Sequence, residues 1–184
     1  MGLIQTRSEG TSQIPAGEKL RWEITSAEVD EGMHGPQAKM TLQVIEGEHL
    51  GSVITDWSKL SRPRLDFVAN LRNKNYSDDK IADILRQRGY KFDRIDEPEE
   101  ELMVSEGGKL YKILVAVFDG DLSKVDQYSN IDDLLDGLVG RTFVAVTKNR
   151  GQDDKYTGIT WDMIYTDPKG DAKDAEEDFD KIPW

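Results

Sequence analysis

A mainly β chain, with helices set between its third and fourth strands, is predicted by three observations. Three early segments alternate apolar and polar residues and are joined by short glycine-containing loops. After Pro63 the apolar spacing changes from two to about three and a half. From Arg141 the chain returns to β-forming residues and stays there to Ile164. At 184 residues the chain fits one domain by a prior of roughly 150 residues per domain.

The first strand is Leu20-Arg21-Trp22-Glu23-Ile24-Thr25, with period two. Gly32-Met33-His34-Gly35-Pro36 supplies turn residues before a second strand around Met40-Thr41-Leu42-Gln43-Val44. Gly47 and Gly51 bracket the next connection, and Ser52 to Trp57 forms a third strand of an antiparallel meander. Residues 62–94 then read as two short helices. Pro63 suits a first helical position, Ser77 is an N-cap followed by Asp78 and Asp79, and Gly89 is a stop. The acidic run Asp96-Glu97-Pro98-Glu99-Glu100-Glu101 is a loop. Further helices fall at about 108–138. Leu110, Ile113, Leu114, Val117 and Phe118 form a stripe at helical spacing, and Ile131, Leu134, Leu135 and Leu138 form another closed by Gly140. The Ile113–Val117 run also admits a buried strand, but its spacing favours the helix. Arg141 to Lys148 and Tyr156 to Ile164 make the closing hairpin. Three strands, a helical section and two strands is the order of an OB-fold, a five-stranded Greek-key barrel; here the section between strands three and four is enlarged. Residues 1–18 read as a loose arm, 19–165 as the OB-fold body and 166–184 as a disordered acidic tail.

Composition excludes several functions. There are no cysteines and two histidines, His34 and His49, which leaves no disulfide scaffold, zinc finger, iron–sulfur site or cysteine nucleophile. Asp119-Gly120-Asp121 and Asp153-Asp154 do not continue into a calcium loop, and Gly107-Gly108-Lys109-Leu110 lacks the spacing of a phosphate-binding loop. No acid/base or nucleophile constellation appears, so no enzyme, metal or cofactor is expected. No apolar run approaches the ~20 residues of a membrane span, and no apolar signal-peptide core is present. A cytoplasmic protein is expected.

Charge is uneven. The net charge is −12, from 36 acids against 24 lysines and arginines. Residues 166–184 hold seven acids and three lysines, leaving 29 acids and 21 bases in residues 1–165. Acidity disfavours a nonspecific duplex coat but permits a groove with its own basic lining. Aromatic rings on a sheet stack on any base, and cations beside them track a phosphate backbone. Trp57 is followed by Lys59, Arg62 and Arg64; the last hairpin carries Lys148, Arg150 and Tyr156; Lys39 alternates outward on the second strand; Arg141 opens the fourth. These nine residues are the candidate single-strand-binding set. Trp22 and Trp161 share phase with apolar neighbours and are expected in the core, whereas Trp57 shares phase only with Val53.

The acidic tail ends Phe179-Asp180-Lys181-Ile182-Pro183-Trp184. Acids keep such a segment extended, and a terminal aromatic beside a carboxylate suits capture in a partner's pocket. This terminus resembles that of bacterial and phage single-stranded DNA-binding proteins, whose acidic tails end in Asp-Ile-Pro-Phe. Ile182 and Pro183 match, Trp184 stands for Phe and Lys181 for Asp. The body is also similar to phage-encoded OB-fold proteins of this role over Gly17 to Trp57, Leu138 to Ala145 and Ile159-Thr160-Trp161, somewhat over half the chain. The helical section 62–94 departs from that pattern. The resemblance implies coating of single-stranded DNA in replication or recombination. It also implies recruitment of replication or recombination proteins through Phe179, Asp180, Ile182, Pro183 and Trp184. Two other readings stand beside it: an OB-fold adaptor that binds partner proteins without nucleic acid, and duplex binding through the helices of 62–94, against which Asp78, Asp79 and Asp83 would face phosphate.

Overall fold

The computed structural model describes residues 14–98, 101–151 and 155–170. Six strands form one antiparallel sheet in the order β4-β3-β2-β1-β5-β6. They are β1 (Lys19–Gly32), β2 (Gly35–Val44), β3 (Val53–Ser61), β4 (Met103–Val104), β5 (Thr142–Arg150) and β6 (Tyr156–Thr166). The helices are α1 (Pro63–Asn73), α2 (Asp78–Gln87), α3 (Lys109–Val117) and α4 (Ile131–Leu138), with a 3₁₀ helix over Leu122–Gln127.

The long β1 organises the sheet. Its first residues, Lys19 to Glu23, pair with β5, while Trp22 to Gly32 pair with β2. The two stretches overlap at Trp22 and Glu23, and a register shift between Ile24 and Ser26 follows the end of the β5 pairing; such a bulge bends the strand. The expected closed barrel is not formed: the hydrogen-bonded sheet is open, with β4 and β6 as its edges. A sixth, two-residue strand, β4, adds to β3 at Leu60 and Ser61. Between β3 and β6 side chains make the contact that a ladder would otherwise make. Asp56 on β3 accepts from the Ile159 backbone N–H of β6 at 3.0 Å, and Arg150, at the end of β5, donates to the Thr55 carbonyl of β3.

The inner face of the sheet and one face each of α3 and α4 share the main core. Trp22, Ile24, Met40, Leu42, Ile54, Phe143 and Ile159 meet Leu110, Ile113, Leu114, Leu134 and Leu138 there. The Trp22 indole N–H donates to the Ala145 carbonyl at 3.3 Å, so the ring is buried without an orphaned donor. α1 and α2 have a separate small core of Val68, Leu71, Ile81 and Leu85. Their caps follow the sequence. Pro63 starts α1, Ser77 Oγ accepts from Lys80 N–H, and Gly89 follows α2 with φ +85°, where a side chain would be strained.

Both predicted ends of the body move outward. Ile14 is buried, and the Pro15 carbonyl and the Gly17 and Glu18 amides all bond Thr147. At the other end Asp167 is buried. It accepts from Arg21 Nε at 2.6 Å, Thr142 Oγ1 at 2.6 Å and Lys169 N–H at 3.0 Å. Ile14, Asp167 and these hydrogen bonds thus tie residues 14–18 and 166–170 to the sheet. Among the described residues no helix is long and apolar enough to cross a membrane.

Candidate nucleic-acid interface

Strand alternation sorts β3 into two faces. Ile54, Asp56, Ser58 and Leu60 point inward, and Val53, Trp57 and Lys59 point out. Trp57 lies directly opposite Lys39 of β2, and Lys59 opposite Gln37, so Lys39, Trp57 and Lys59 share one outward face. Across the open side of the sheet, the Arg150 guanidinium lies over the Trp57 ring, 5.0 Å from its centroid. Arg150 pairs in register with Tyr156, and Lys148 with Gly158. The structure thus brings together Lys39, Trp57, Lys59, Lys148, Arg150 and Tyr156. Trp57 is 36% exposed and Tyr156 50%, so each ring keeps an accessible surface.

The cluster rests on a buried ionic support. Asp56, fully buried, accepts from Lys109 Nζ at 2.5 Å, from its neighbour Trp57 N–H at 2.8 Å and from Arg150 Nη1 at 3.4 Å. Ser58, also inward, accepts from Leu110 N–H at 2.8 Å. Two polar residues on the inner face of β3 thereby hold the first turn of α3, Asp56 through the Lys109 ammonium and Ser58 through the Leu110 amide. Burial holds the Lys109 ammonium below the usual lysine pKa, and Lys148 and Arg150 push it the same way; Asp56 opposes them. Gly158 makes room for this arrangement: a Cβ there would lie 3.0 Å from Arg150 Cδ and 3.5 Å from Asp56 Oδ2. Gly151, with φ +85°, likewise lets the Tyr156 ring lie where a Cβ would come within 2.6 Å of it.

Three of the nine predicted residues lie elsewhere. Arg62 pairs with Glu31 at 2.9 Å beside the β1–β2 hairpin. Arg64 is buried, donating to the carbonyls of Arg94, Ile95, Glu97 and Pro98, so it holds the loop after α2. Arg141 stacks on Phe118, 5.0 Å from its centroid, at the other end of β5. Lys39, within the cluster, also meets Glu28 at 3.2 Å. The tail residues Phe179, Asp180, Ile182, Pro183 and Trp184 lie outside the described residues.

Sequence reasoning missed Asp56 and Lys109. The available signal was a charged residue in the inward phase of β3, which a buried partner must compensate. It also placed Trp161 in the core, whereas the ring is 50% exposed. Between Ala145 and Thr147 of β5, the partner strand advances from Ile164 to Ile159. Three extra residues on β6 are an odd number, so the side-chain phase reverses across them. Trp161 and Met163 fall in phase with outward Tyr165 rather than with inward Ile159.

A groove of about 640 Å³ opens elsewhere, between β4, α3, the 3₁₀ helix and α4. Its floor includes Leu102, Leu114 and Leu134, and Glu101, Asp126 and Asp132 lie among its lining. Among the described residues no group of three His, Asp or Glu is placed to hold a metal ion. No protein-family model matches the chain, and no curated protein matches it.

Proposed function

We propose that this chain is a single-stranded DNA-binding protein, without catalytic activity, built on an open sheet whose strands follow the order of an OB-fold. The observation that carries the reading is the Trp57 cluster. In a protein of net charge −12, Arg150 lies over one partly exposed indole, Lys39 pairs opposite it, and Lys59 and Lys148 lie two residues from Trp57 and Arg150 on their strands. A base stacks on such a ring with ~1–3 kcal/mol whatever its identity, and the flanking cations follow its phosphates. The fold supports the reading. The order β1-β2-β3, helices, β5-β6 with β1 shared between β2 and β5 is that of an OB-fold, whose strand 2–3 face and loops form its nucleic-acid surface. Lys39, Trp57 and Lys59 lie on that face. The proposed setting is DNA replication or recombination, as in bacteriophages, inside the host cell. The acidic tail to Trp184 recruits partner proteins there.

Titration of the intrinsic tryptophan fluorescence with oligo-dT at low salt tests this. Wild-type protein is expected to show quenching, and Trp57→Ala to bind about 5- to 150-fold more weakly, the equivalent of one lost stacking contact. Equal affinity of Trp57→Ala and wild type would remove the cluster from the account. The groove beside β4 favours a second reading, an adaptor that takes an apolar segment with basic flanks. That reading predicts partner capture with no affinity for oligonucleotides.

A further inference from the structure

The phase reversal in β6 places an aromatic side chain where an ordinary strand would bury it. Trp161, Met163 and Tyr165 are 50%, 42% and 44% exposed, and Asp162, within the same unpaired stretch as Trp161 and Met163, is exposed beside them. Bulges commonly re-aim a side chain beside a functional site. An indole turned half into water forgoes burial that Ile159, two residues earlier, obtains in full. The row is cationic at its far end: Lys19 Nζ lies 4.7 Å from the Tyr165 ring centroid. It is also continuous with the Trp57 cluster, because Tyr156, opposite Arg150, begins the same strand. From Tyr156 to Trp161 is five residues, about 16 Å of strand. Along β5 and β6 the described charges are Lys148 and Arg150 against Asp162.

We infer that the β6 bulge builds a second base-stacking station, in which Trp161, flanked by Met163 and Tyr165, takes a base of the same single strand that stacks on Trp57. This rests on the single-strand reading above and extends it. The strand leaves the Arg150–Tyr156 end of the hairpin, runs along β6 and ends near Lys19. Trp161 is thus a length-dependent contact. A short oligonucleotide seated at Trp57 does not reach it, whereas a longer one uses both rings.

The test is a length series of oligo-dT, four to twenty nucleotides, with wild-type, Trp57→Ala, Trp161→Ala and Trp161→Phe full-length proteins. Trp161→Ala is expected to bind the shortest oligonucleotides like wild type and the longest at least about five-fold more weakly. Trp161→Phe, which keeps a ring, is expected to recover most of the loss. Circular dichroism confirms the fold of each variant. Equal affinities of Trp161→Ala and wild type at every length would overturn the inference while Trp57→Ala still reports on the primary site. A changed sedimentation coefficient with unchanged affinity would overturn it in favour of a protein contact at this row. If wild type binds no oligonucleotide at any length, the single-strand reading itself falls, and this inference with it.

Discussion

Asp56 is the residue on which the candidate interface turns. Its carboxylate neutralises buried Lys109, fixes the amide beside Trp57 and contacts the arginine that covers that ring. Removing one member of a buried pair leaves the other charge uncompensated, which costs about 3–5 kcal/mol. Asp56→Ala is therefore expected to lower unfolding free energy by about that amount in urea denaturation, and Lys109→Met, which strips the nearest cation from the fully buried carboxylate, by a comparable amount. An Asp56→Ala loss below about 1 kcal/mol would show that the cluster is not held this way. The sequence displays the aromatic and basic residues of the interface but not their support. Lys109 stands 53 residues from Asp56, in what reads as the start of an ordinary amphipathic helix. Arg62, Arg64 and Arg141 show the converse. Each belongs to a basic run, yet nearby acids, carbonyls or a ring take up the guanidinium. Local composition does not reveal partners that the fold supplies from up to 34 residues away.

Among the elements, β6 is where periodicity and structure part. The alternation of its first residues is correct to Ile159, and four unpaired residues opposite Val146 alone, three in excess, then reverse it. No propensity rule marks that site, because Thr160, Trp161 and Ile164 are all good strand formers. Helices were more legible. The stripe Leu110–Phe118 is buried along α3 and its continuation, and Ser77, Gly89 and Gly140 delimit α2 and α4 as capping chemistry requires. The end of β6 is pinned by Asp167. Burial pushes its carboxyl pKa up, but the bonds from Thr142, Lys169 N–H and Arg21 outweigh burial and hold it below the usual carboxylate value. An acid whose folded pKa is depressed contributes stability that is complete above its unfolded pKa, about 3.9. That stability is lost as pH falls through the folded value. Denaturation followed from pH 6 to pH 2 should show wild-type stability falling below about pH 4. Asp167→Asn should be less stable at neutral pH and flatter in the acid range. Parallel pH curves for the two proteins would refute this role.

For the whole molecule, the open sheet and the side-chain bridge from β3 to β6 matter more than barrel closure. The order of meander, helices and hairpin was legible because these elements follow one another in the chain. The missing ladder was not, because Asp56 and Arg150 bridge the gap with side-chain bonds to residues far away in the chain. The net charge of −12 makes any affinity for phosphate a local property of the Trp57 face. Four cations there, Lys39, Lys59, Lys148 and Arg150, set the expected salt response at about −0.7 per phosphate contact. The most direct measurement is the affinity of the full-length protein for oligo-dT from low to high salt, with duplex DNA of the same length as competitor. The account predicts binding whose log–log slope with salt is about −3 and which duplex does not displace. Binding that is absent at low salt, insensitive to salt, or abolished by equimolar duplex would contradict it.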